Sequence, residues 1–415
     1  MFGPLEVESW VAGRRKGLQD VRGRVEEIIA AVRGRGDSAL IEFARKYDAS
    51  GMLPLRVEED EFEAAYEEVE PELVEALLEA EARITRFHEL QRPRDLWMQE
   101  LEPGIVLGEK VTPLDRIGIY VPGRRAAYPS SVLMSAIPAK VAGVREICCC
   151  TPPPIHPLTL VALDVVGVKE VYRAGGAQAV AAMALGTASI RKVQKIVGPG
   201  NVYVTMAKIL LREEAEIDFP AGPSEIGIIA DETANPLFIA MDILAQAEHD
   251  PEAACILITT SEVLALSVKK DVERLVGGME RGEILRESLE RSGYRLVRGM
   301  DEAVREMDRI APEHLSIQVK DPLPVLQRIR HAGAIFIGPY SPVACGDYAS
   351  GTNHVLPTAG YAQVYSGLDV MHFCKRITIQ QLTQEGLEGI AGVVESLAEA
   401  EGLQAHAESV RVRIR

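Results

Sequence analysis

The feature that most constrains the fold is a strand–turn–helix pattern that occurs four times between residues 115 and 214. Each unit starts with a short apolar run, passes through a turn rich in Gly or Pro, and ends in a helical stretch. The predicted strands with their turns are 117–123, 146–151, 170–176 and 195–200, and the predicted helices are 130–142, 156–166, 177–185 and 201–214. Continuous apolar runs indicate strands buried on both faces, and this alternation is typical of a parallel α/β sheet.

A second strand–helix series follows the first and resembles it in character. Strands are predicted at 225–230, 255–260 and 334–337, with a long helix at 235–248. Helical spacing dominates residues 22–94, where Val25, Ile28, Ile29 and Val32 form an amphipathic stripe, and it returns from about residue 380 to the end.

These patterns predict an α/β protein with two Rossmann-like parallel-sheet domains and small helical N- and C-terminal extensions. The expected bounds are 1–21 for the N-terminal helical extension, 22–118 together with 225–370 for a discontinuous first α/β domain, 119–224 for the second, and 371–415 for the C-terminal tail.

Composition narrows the class of function. Hydrophobic residues make up 47% of the 415-residue chain, and the net charge is −16. An acidic surface repels phosphate backbones and anionic membranes, so we expect neither nucleic acid nor membrane as a partner. No apolar run is long enough to span a bilayer, the first fifteen residues lack a signal-peptide pattern, and the six cysteines form no disulfide framework. We therefore expect a soluble cytoplasmic protein.

The first candidate site is the pair Gln246-x-x-His249 near the end of the predicted helix 235–248. Side chains three positions apart share a helix face and can point at one atom. Histidine is a common zinc ligand, whereas a glutamine oxygen is a less usual one. Alone, such a pair is more typical of a solvated helix face.

The second candidate is Glu313-His314, which follows Pro312 and is interpreted as a helix start or loop. Histidine has a suitable pKa to accept a proton from an alcohol near neutral pH, and glutamate can activate water. A charged pair in the first turn of a helix is an equally good interpretation of these two residues alone.

The third candidate is a polar, glycine-rich loop at 346–357 that carries Asp347, Asn353 and His354. Few ordinary loops combine so many ligating groups with so little bulk, which favours a functional role. Glu401 and His406 lie near the end of the chain, where exposed polar side chains are common.

Two glycine turns, 175–178 and 198–201, connect predicted strands to predicted helices. Helix N-termini at such turns can bind a diphosphate. Neither turn completes the Gly-x-Gly-x-x-Gly fingerprint, because Tyr203 stands where the last glycine is required. The residues 148–150, all cysteine, are better explained as small apolar residues of a buried strand than as nucleophiles.

Taken together, these segments resemble the histidinol dehydrogenase family from about residue 22 to the C-terminus. The segments 120–144, 174–186, 197–208, 221–250, 312–315 and 346–358 carry the resemblance in the same order along the chain. The resemblance implies one Zn²⁺ per subunit, held by Gln246, His249, Asp347 and His406, and NAD as co-substrate. It also implies a homodimer in which the C-terminal tail, with Glu401 and His406, reaches the partner's site.

The resemblance also implies roles for other residues. It assigns catalysis to Glu313 and His314, and NAD binding to Tyr120, Gln178 and Asn201. Substrate contacts are expected from the following set: Ser224, Gln246, His249, Glu313, His314, Asp347, His354, Glu401 and His406. The implied reaction is the four-electron oxidation of L-histidinol through L-histidinal to L-histidine, the last steps of histidine biosynthesis.

Two positions depart from the family's usual pattern. Ala245 stands where a serine commonly precedes the glutamine ligand, and Arg124-Arg125 replaces a smaller pair in the turn after Pro122. These arginines could alter cofactor entry or help to bind its phosphates.

Two alternatives remain at this stage. One is a related zinc- and NAD-dependent dehydrogenase that acts on another alcohol, such as a sulfonated diol. The presence of His354 and Glu401 favours histidinol over that substrate. The other is a non-catalytic zinc-binding or dimerising scaffold, which would have little use for Glu313 and His314.

Overall fold

The structure is a computed structural model that describes residues 2–14, 20–48, 54–123 and 127–415. In chain order the strands are β1 (Gly3–Pro4), β2 (Leu96–Glu102), β3 (Ile105–Pro113), β4 (Arg116–Tyr120), β5 (Glu146–Thr151), β6 (Glu170–Arg173), β7 (Lys195–Val197), β8 (Glu216–Ile217), β9 (Glu225–Ala230), β10 (Ala254–Thr259), β11 (Gly293–Leu296), β12 (His314–Gln318), β13 (Ala334–Ile337) and β14 (Cys374–Leu382).

The helices alternate with these strands through most of the chain. They are α1 (Val7–Gly13), α2 (Arg22–Arg35), α3 (Asp37–Asp48), α4 (Glu59–Glu67), α5 (Pro71–Glu89), α6 (Pro129–Ala142), α7 (Pro157–Val165), α8 (Gly176–Leu185), α9 (Val202–Leu210), α10 (Pro236–Ala247), α11 (Glu262–Val276), α12 (Gly282–Glu290), α13 (Met300–Ile310), α14 (Leu323–Leu326), α15 (Val343–Tyr348), α16 (Gln384–Ala400) and α17 (Gln404–Ile414). Two short 3-10 helices cover Tyr361–Gln363 and Val370–Phe373. None of the helices in the described part of the chain is both long and apolar enough to cross a membrane.

The four predicted strand–helix units form a five-stranded sheet with the order β6-β5-β4-β7-β8, in which every neighbouring pair is parallel. Numbered within the sheet, this order is 3-2-1-4-5, the order of half of a classic dinucleotide-binding fold. Cys148, Cys149 and Cys150 lie in its central strand pair and are fully buried. Burial raises the pKa of the Cys148 thiol to about 12, which supports their interpretation as core residues.

The second series forms a six-stranded parallel sheet with the order β1-β11-β10-β9-β12-β13. Without β1, it repeats the same 3-2-1-4-5 order. The N-terminal extension, predicted to be helical, therefore also supplies the edge strand. The two parallel sheets confirm the predicted fold class.

Three strands of the six-stranded sheet, β1, β11 and β12, were not predicted, and β12 changes the interpretation of a candidate site. Glu313-His314 was expected at a helix start or loop, but His314 is the first residue of β12, whose five residues are all buried. The short sequence 314–318 alternates apolar and polar residues and starts with a histidine, so its apolar content was too low to signal a buried strand.

A three-stranded antiparallel sheet, with the order β14-β3-β2, was also missed by the sequence interpretation. Strand β14 lies inside the tail 371–415 that was expected to be helical, and it is mostly exposed. Exposed strands carry polar residues on both faces, so the apolar periodicity that identifies a strand is absent. Helices α16 and α17 follow β14 and pack on each other.

Helices α2 to α5, within residues 22–89, lie on the five-stranded sheet, which differs from the expected division of the chain, whereas α1 packs on the six-stranded sheet through Val7 and Trp10. Val25, Ile28 and Val32 of α2 share a hydrophobic core with Val180 of α8. The expected division grouped 22–118 with 225–370, and its border at 118 falls inside β4. An amphipathic stripe shows that a helix buries one face but does not identify the sheet that it covers.

Residues 218–224 connect the two sheets directly, because they run from the end of β8 to the start of β9. Asp218 anchors one end, since it accepts a hydrogen bond from the backbone N–H of Gly198 (2.9 Å) and pairs with the buried Lys208. The hydroxyl of Thr205 donates to the Ala221 carbonyl at 2.9 Å. The carboxyl ends of one set of strands are thus linked by seven residues to the amino ends of the other.

Candidate active site

Glu313 and His314 lie at the amino end of β12, beside the start of β9. The backbone N–H of Glu225 donates to Glu313 Oε2 at 2.9 Å, and the Glu225 carbonyl lies 3.2 Å from His314 Nδ1. The preceding residue Ala311 has a φ of 49° in the left-handed region, which ends α13 and turns the chain into β12. Both side chains are held from one residue of the neighbouring strand.

Their surroundings control both pKa values. Glu313 is 6% exposed and His314 is 5% exposed. Burial raises the pKa of Glu313 well above its usual value, and the nearby carboxylates of Glu225 and Asp347 raise it further. Burial lowers the pKa of His314 to about 3. His314 is therefore a neutral imidazole at pH 7.

The neutral imidazole has a defined orientation. Only a protonated Nδ1 can donate to the Glu225 carbonyl, so the proton of the neutral ring belongs on Nδ1 and the lone pair on Nε2. Nε2 is buried without a hydrogen-bond partner. It lies 3.8 Å from Oδ1 of Asp347, and this arrangement can accept a proton from a molecule bound between the two residues.

Asp347 and His354 lie close to each other and to His314. The Asp347 backbone carbonyl accepts a hydrogen bond from His354 Nδ1 at 2.9 Å. Burial raises the pKa of Asp347 to about 7 and lowers that of His354 to about 4. The segment was predicted as a loop, whereas Gly346–Tyr348 form the last turn of α15; a six-residue helix is too short to leave a periodic signal.

Gln246 and His249 lie at the end of α10, as expected. Gln246 is buried and its amide Nε2 has no hydrogen-bond partner, while His249 is exposed just beyond the helix. Electrostatic repulsion from His249 contributes to the lowered pKa of both His314 and His354, so the three imidazoles lie near one another. The end of α10 thus contributes to the same site.

Ser224 also lies in this site, because its hydroxyl hydrogen-bonds to the Glu313 carboxylate. By contrast, the chain does not bring Glu401 or His406 to it. Both are exposed, at the end of α16 and the start of α17 respectively. Among the described residues, no hydrogen bond or ion pair joins either side chain to the other site residues.

The described residues include candidate metal ligands but no compact metal cluster. Within 2–14, 20–48, 54–123 and 127–415, no three His, Cys, Asp or Glu side chains are grouped closely enough to hold a metal ion. The donors that are present still fit zinc in their chemistry, since they comprise an imidazole, a partly buried carboxylate without a cation and a buried amide nitrogen without a partner.

The three expected cofactor residues lie at the carboxyl edge of the five-stranded sheet. Tyr120 ends β4, and its hydroxyl accepts a hydrogen bond from the backbone N–H of Gly176 at 3.1 Å. Gln178 is buried in the first turn of α8. Asn201 caps α9, because its Oδ1 accepts from the N–H groups of Tyr203 (3.1 Å) and Val204 (3.2 Å).

The strand order places this edge at the point where chain direction across the sheet reverses, between β4 and β7. Two helix N-termini flank that point, which is the usual location for a dinucleotide in such sheets. Arg124-Arg125, which could affect cofactor entry, lies outside the described residues.

Comparison with known proteins settles the family. The sequence model of a family described as "Histidinol dehydrogenase" matches residues 12–414. The histidinol dehydrogenase of Methanothermobacter thermautotrophicus is 52% identical over 419 residues, which cover 100% of this chain and 98% of the relative. That of Methanosarcina barkeri is 51% identical over 404 residues, 96% of this chain and 93% of the relative.

The chain belongs to the histidinol dehydrogenase family.

A solved structure agrees with this assignment. The crystal structure of histidinol dehydrogenase from Elizabethkingia anophelis matches with a TM-score of 0.94 at 38% identity, covering 100% of this chain and 97% of that one. The family predicted from the sequence is confirmed, and the protein is an oxidoreductase as expected. Three histidines outside the candidate site have structural roles. His88 is buried against Gln91 and Asn353, His156 caps α7 and His372 pairs with Asp369.

Two residues near the site, Glu225 and Arg14, were not identified from the sequence. Glu225 holds Glu313 and His314 through its backbone, and its carboxylate forms a buried ion pair with Arg14 at 2.9 Å. A glutamate at the start of the apolar run 225–230 was the available signal, because a charged residue in a buried strand requires a partner. The identity of that partner, 211 residues away, could not be deduced from the sequence.

Proposed function

We propose that this chain catalyses the zinc-dependent oxidation of L-histidinol through L-histidinal to L-histidine, with two molecules of NAD as the oxidants, as a cytoplasmic homodimer. The observation that carries the proposal is the buried Glu313–His314 pair. His314 keeps a free Nε2 opposite Asp347, in a chain about half identical to histidinol dehydrogenases.

The proposed zinc ligands are Gln246, His249 and Asp347 of one subunit and His406 of the partner subunit. This set joins two imidazoles, one carboxylate and one amide oxygen, which suits a zinc ion that must also accept substrate atoms. When bound, the metal would supply a positive charge that holds and orients the amino alcohol. The raised pKa of Asp347, a partly buried carboxylate without a cationic partner, supports a cation at this position.

The first oxidation requires a base for the hydroxyl proton of histidinol. His314 accepts that proton at Nε2, while its Nδ1–H remains hydrogen-bonded to the Glu225 carbonyl. The carbon–hydrogen bond breaks as the hydride passes to the nicotinamide of the first NAD. The products of this step are the aldehyde, one NADH and one proton.

The second oxidation requires a water molecule to add to the aldehyde. Glu313 accepts a proton from that water, and the raised pKa of this buried carboxyl group makes it a stronger base than an exposed glutamate. His314 takes a proton from the resulting hydrate as the second hydride leaves to the second NAD. The carboxylate of histidine is the product.

Binding of the substrate and cofactor involves the remaining candidates. Ser224 and His354 lie within the site, and Glu401 of the partner subunit would meet the polar end of histidinol. Tyr120, Gln178 and Asn201 would bind NAD at the carboxyl edge of the five-stranded sheet. The seven-residue link 218–224 joins that edge to the strand start beside Glu313.

The test of the reaction is NADH formation by the purified protein supplied with zinc and L-histidinol, compared with a sample treated with a chelator. We expect two NADH per histidinol, loss of activity after chelation and recovery when zinc is added. Zinc-loaded protein that does not oxidise histidinol would contradict the proposed substrate. It would favour the relative that oxidises another alcohol, and a panel of alcohols that includes sulfonated diols would identify it.

Shared sites can be tested by mixing two inactive variants, His406→Asn and His314→Asn, through co-expression. A heterodimer then contains one intact site, built from the His314 of one subunit and the His406 of the other. We expect recovery of about a quarter of the wild-type activity in an equal mixture. If His406 serves its own subunit, the mixture stays inactive. Two copies of one variant give the matched control.

A further inference from the structure

The backbone of Glu225 makes two hydrogen bonds that define the candidate acid–base pair. Its N–H donates to Glu313 Oε2 and its C=O accepts from His314 Nδ1. In the sheet, His314 pairs with Ile226, so Glu225 lies one residue before the first pair between β9 and β12. Its N–H on that side therefore precedes the ladder and is available to the Glu313 carboxylate. Its C=O lies opposite the backbone N–H of His314 in this register and has a second lone pair for the imidazole.

The Glu225 side chain fixes the position of this backbone. Oε2 pairs with Arg14 Nη1 at 2.9 Å, and Oε1 accepts from the Ala359 N–H at 3.1 Å. Arg14 and Glu225 side chains are 8% and 4% exposed, so the pair is shielded from water and from salt. Ala359 ends the segment that carries His354.

Arg14 connects a third segment to the same point. Its second amino group, Nη2, donates to the Ile310 carbonyl at 2.7 Å, at the end of the helix that leads into Glu313. Its guanidinium also lies over the Trp10 ring of α1, at 4.6 Å from the ring centroid. Arg14 thus joins the N-terminal helix to the residues before Glu313 and to the start of β9.

We propose that Arg14 and Glu225 are positioning residues for the reaction, and that the N-terminal segment sets the geometry of Glu313 and His314 through this buried ion pair. The inference rests on the proposed function. Neither residue contacts the substrate in this mechanism. Their effect is to hold one backbone position, which fixes the orientation of the carboxylate and selects the tautomer of the imidazole.

The test compares Glu225→Gln, Arg14→Met and Arg14→Lys in the zinc-loaded holoenzyme, with both half-reactions measured separately. We expect kcat to fall by about ten- to hundred-fold for histidinol and for histidinal, the usual range for residues that orient reacting groups. KM and zinc content should stay near wild type. Arg14→Lys should recover part of the activity, because lysine keeps the charge but not both contacts.

The double variant Arg14→Met/Glu225→Gln guards against simple misfolding, because it removes both charges and leaves no unpaired one buried. It should fold and show the same loss of kcat. Arg116→Met is the matched control: the Arg116 side chain is 8% exposed, like that of Arg14, and pairs with Glu170 and Glu146 at the amino end of β4 in the five-stranded sheet. It should lower the melting temperature while kcat stays unchanged.

The outcomes separate the two proposals. Wild-type kcat in folded, zinc-loaded Glu225→Gln and double variants would overturn the positioning role. An equal fall of kcat in Arg116→Met would overturn it as well, because general destabilisation would then explain the loss. Full activity of His314→Asn, run in parallel, would instead contradict the proposed function itself.

Discussion

The two parallel sheets share the strand order 3-2-1-4-5 but present opposite edges to the proposed reaction. The candidate cofactor residues Tyr120, Gln178 and Asn201 lie at the carboxyl edge of the five-stranded sheet. The acid–base pair lies at the amino edge of the six-stranded sheet, where β9 and β12 begin. Equal topology therefore does not imply equal use.

The chemistry available at each edge explains the difference. At a carboxyl edge, helix N-termini offer N–H groups that suit a diphosphate. At an amino edge, a residue just before the pairing begins can offer both an N–H and a C=O to side chains, as Glu225 does. A carboxylate needs a hydrogen-bond donor and the N–H of an imidazole needs an acceptor, whereas a diphosphate needs only donors.

The largest expected effect separates the two edges by function. His314→Asn removes the proposed proton acceptor of both oxidations, so both rates should fall by roughly 10²–10⁴-fold. NAD binding, measured by calorimetry, should stay at its wild-type affinity because the proposed cofactor residues lie on the other sheet. Weakened NAD binding together with unchanged turnover would invert the assignment of roles.

A more selective effect is expected for Glu313→Gln, which keeps the shape and removes the base. Oxidation of supplied histidinal should fall by about 10²-fold, whereas oxidation of histidinol should fall much less. Stopped-flow measurement of the two half-reactions distinguishes them. Aldehyde oxidation at the wild-type rate would rule out water activation by Glu313.

The glycines of the two sheets give a matched pair of stability variants. Gly198 has a φ of 113°, and a Cβ there would lie 2.2 Å from the Tyr120 carbonyl oxygen. Gly227 has no such strain, and its Cβ would meet the flexible Met307 side chain. Gly198→Ala should lower the free energy of unfolding by about 1–3 kcal/mol and weaken NAD binding. Gly227→Ala should lower the free energy of unfolding by less. Chemical denaturation of both variants checks the order.

The smallest expected effect concerns the carboxyl edge alone. Tyr120→Phe removes the hydroxyl that accepts a hydrogen bond from the Gly176 N–H. The loss of this hydrogen bond is worth about 1 kcal/mol. The dissociation constant of NAD should rise roughly fivefold, while the affinity for histidinol stays unchanged. A change confined to histidinol binding would show that Tyr120 serves the other site.

The sequence was sufficient to predict the two parallel sheets and the candidate residues that are compared above. Continuous apolar runs identified β4, β5, β6 and β9 within one or two residues, because buried parallel strands are apolar throughout. The family resemblance then supplied the candidate residues. Strands β12 and β14 were missed for different reasons, since the first starts with the polar candidate residue His314 and the second is exposed.

What could not be predicted is contact between distant segments. The amphipathic pattern of residues 22–94 predicted that the helices bury one face. It did not predict that this face packs on the five-stranded sheet, which the structure shows. Arg14 and Glu225 posed the same problem: each is a charged residue of ordinary appearance, and their significance lies in a pairing across 211 residues. Local patterns carry no information about such pairings.

The connection 218–224 has a consequence for how such a protein can vary. Seven residues span at most about 25 Å when fully extended, and this segment is held at Asp218 and Ala221. Residues inserted here would increase the distance between the proposed NAD site and the Glu313–His314 pair. Insertions in turns at the other edge of each sheet would leave this distance unchanged. Insertions tolerated by this protein should therefore cluster away from the link, and circular permutants opened within it should bind both ligands yet turn over poorly.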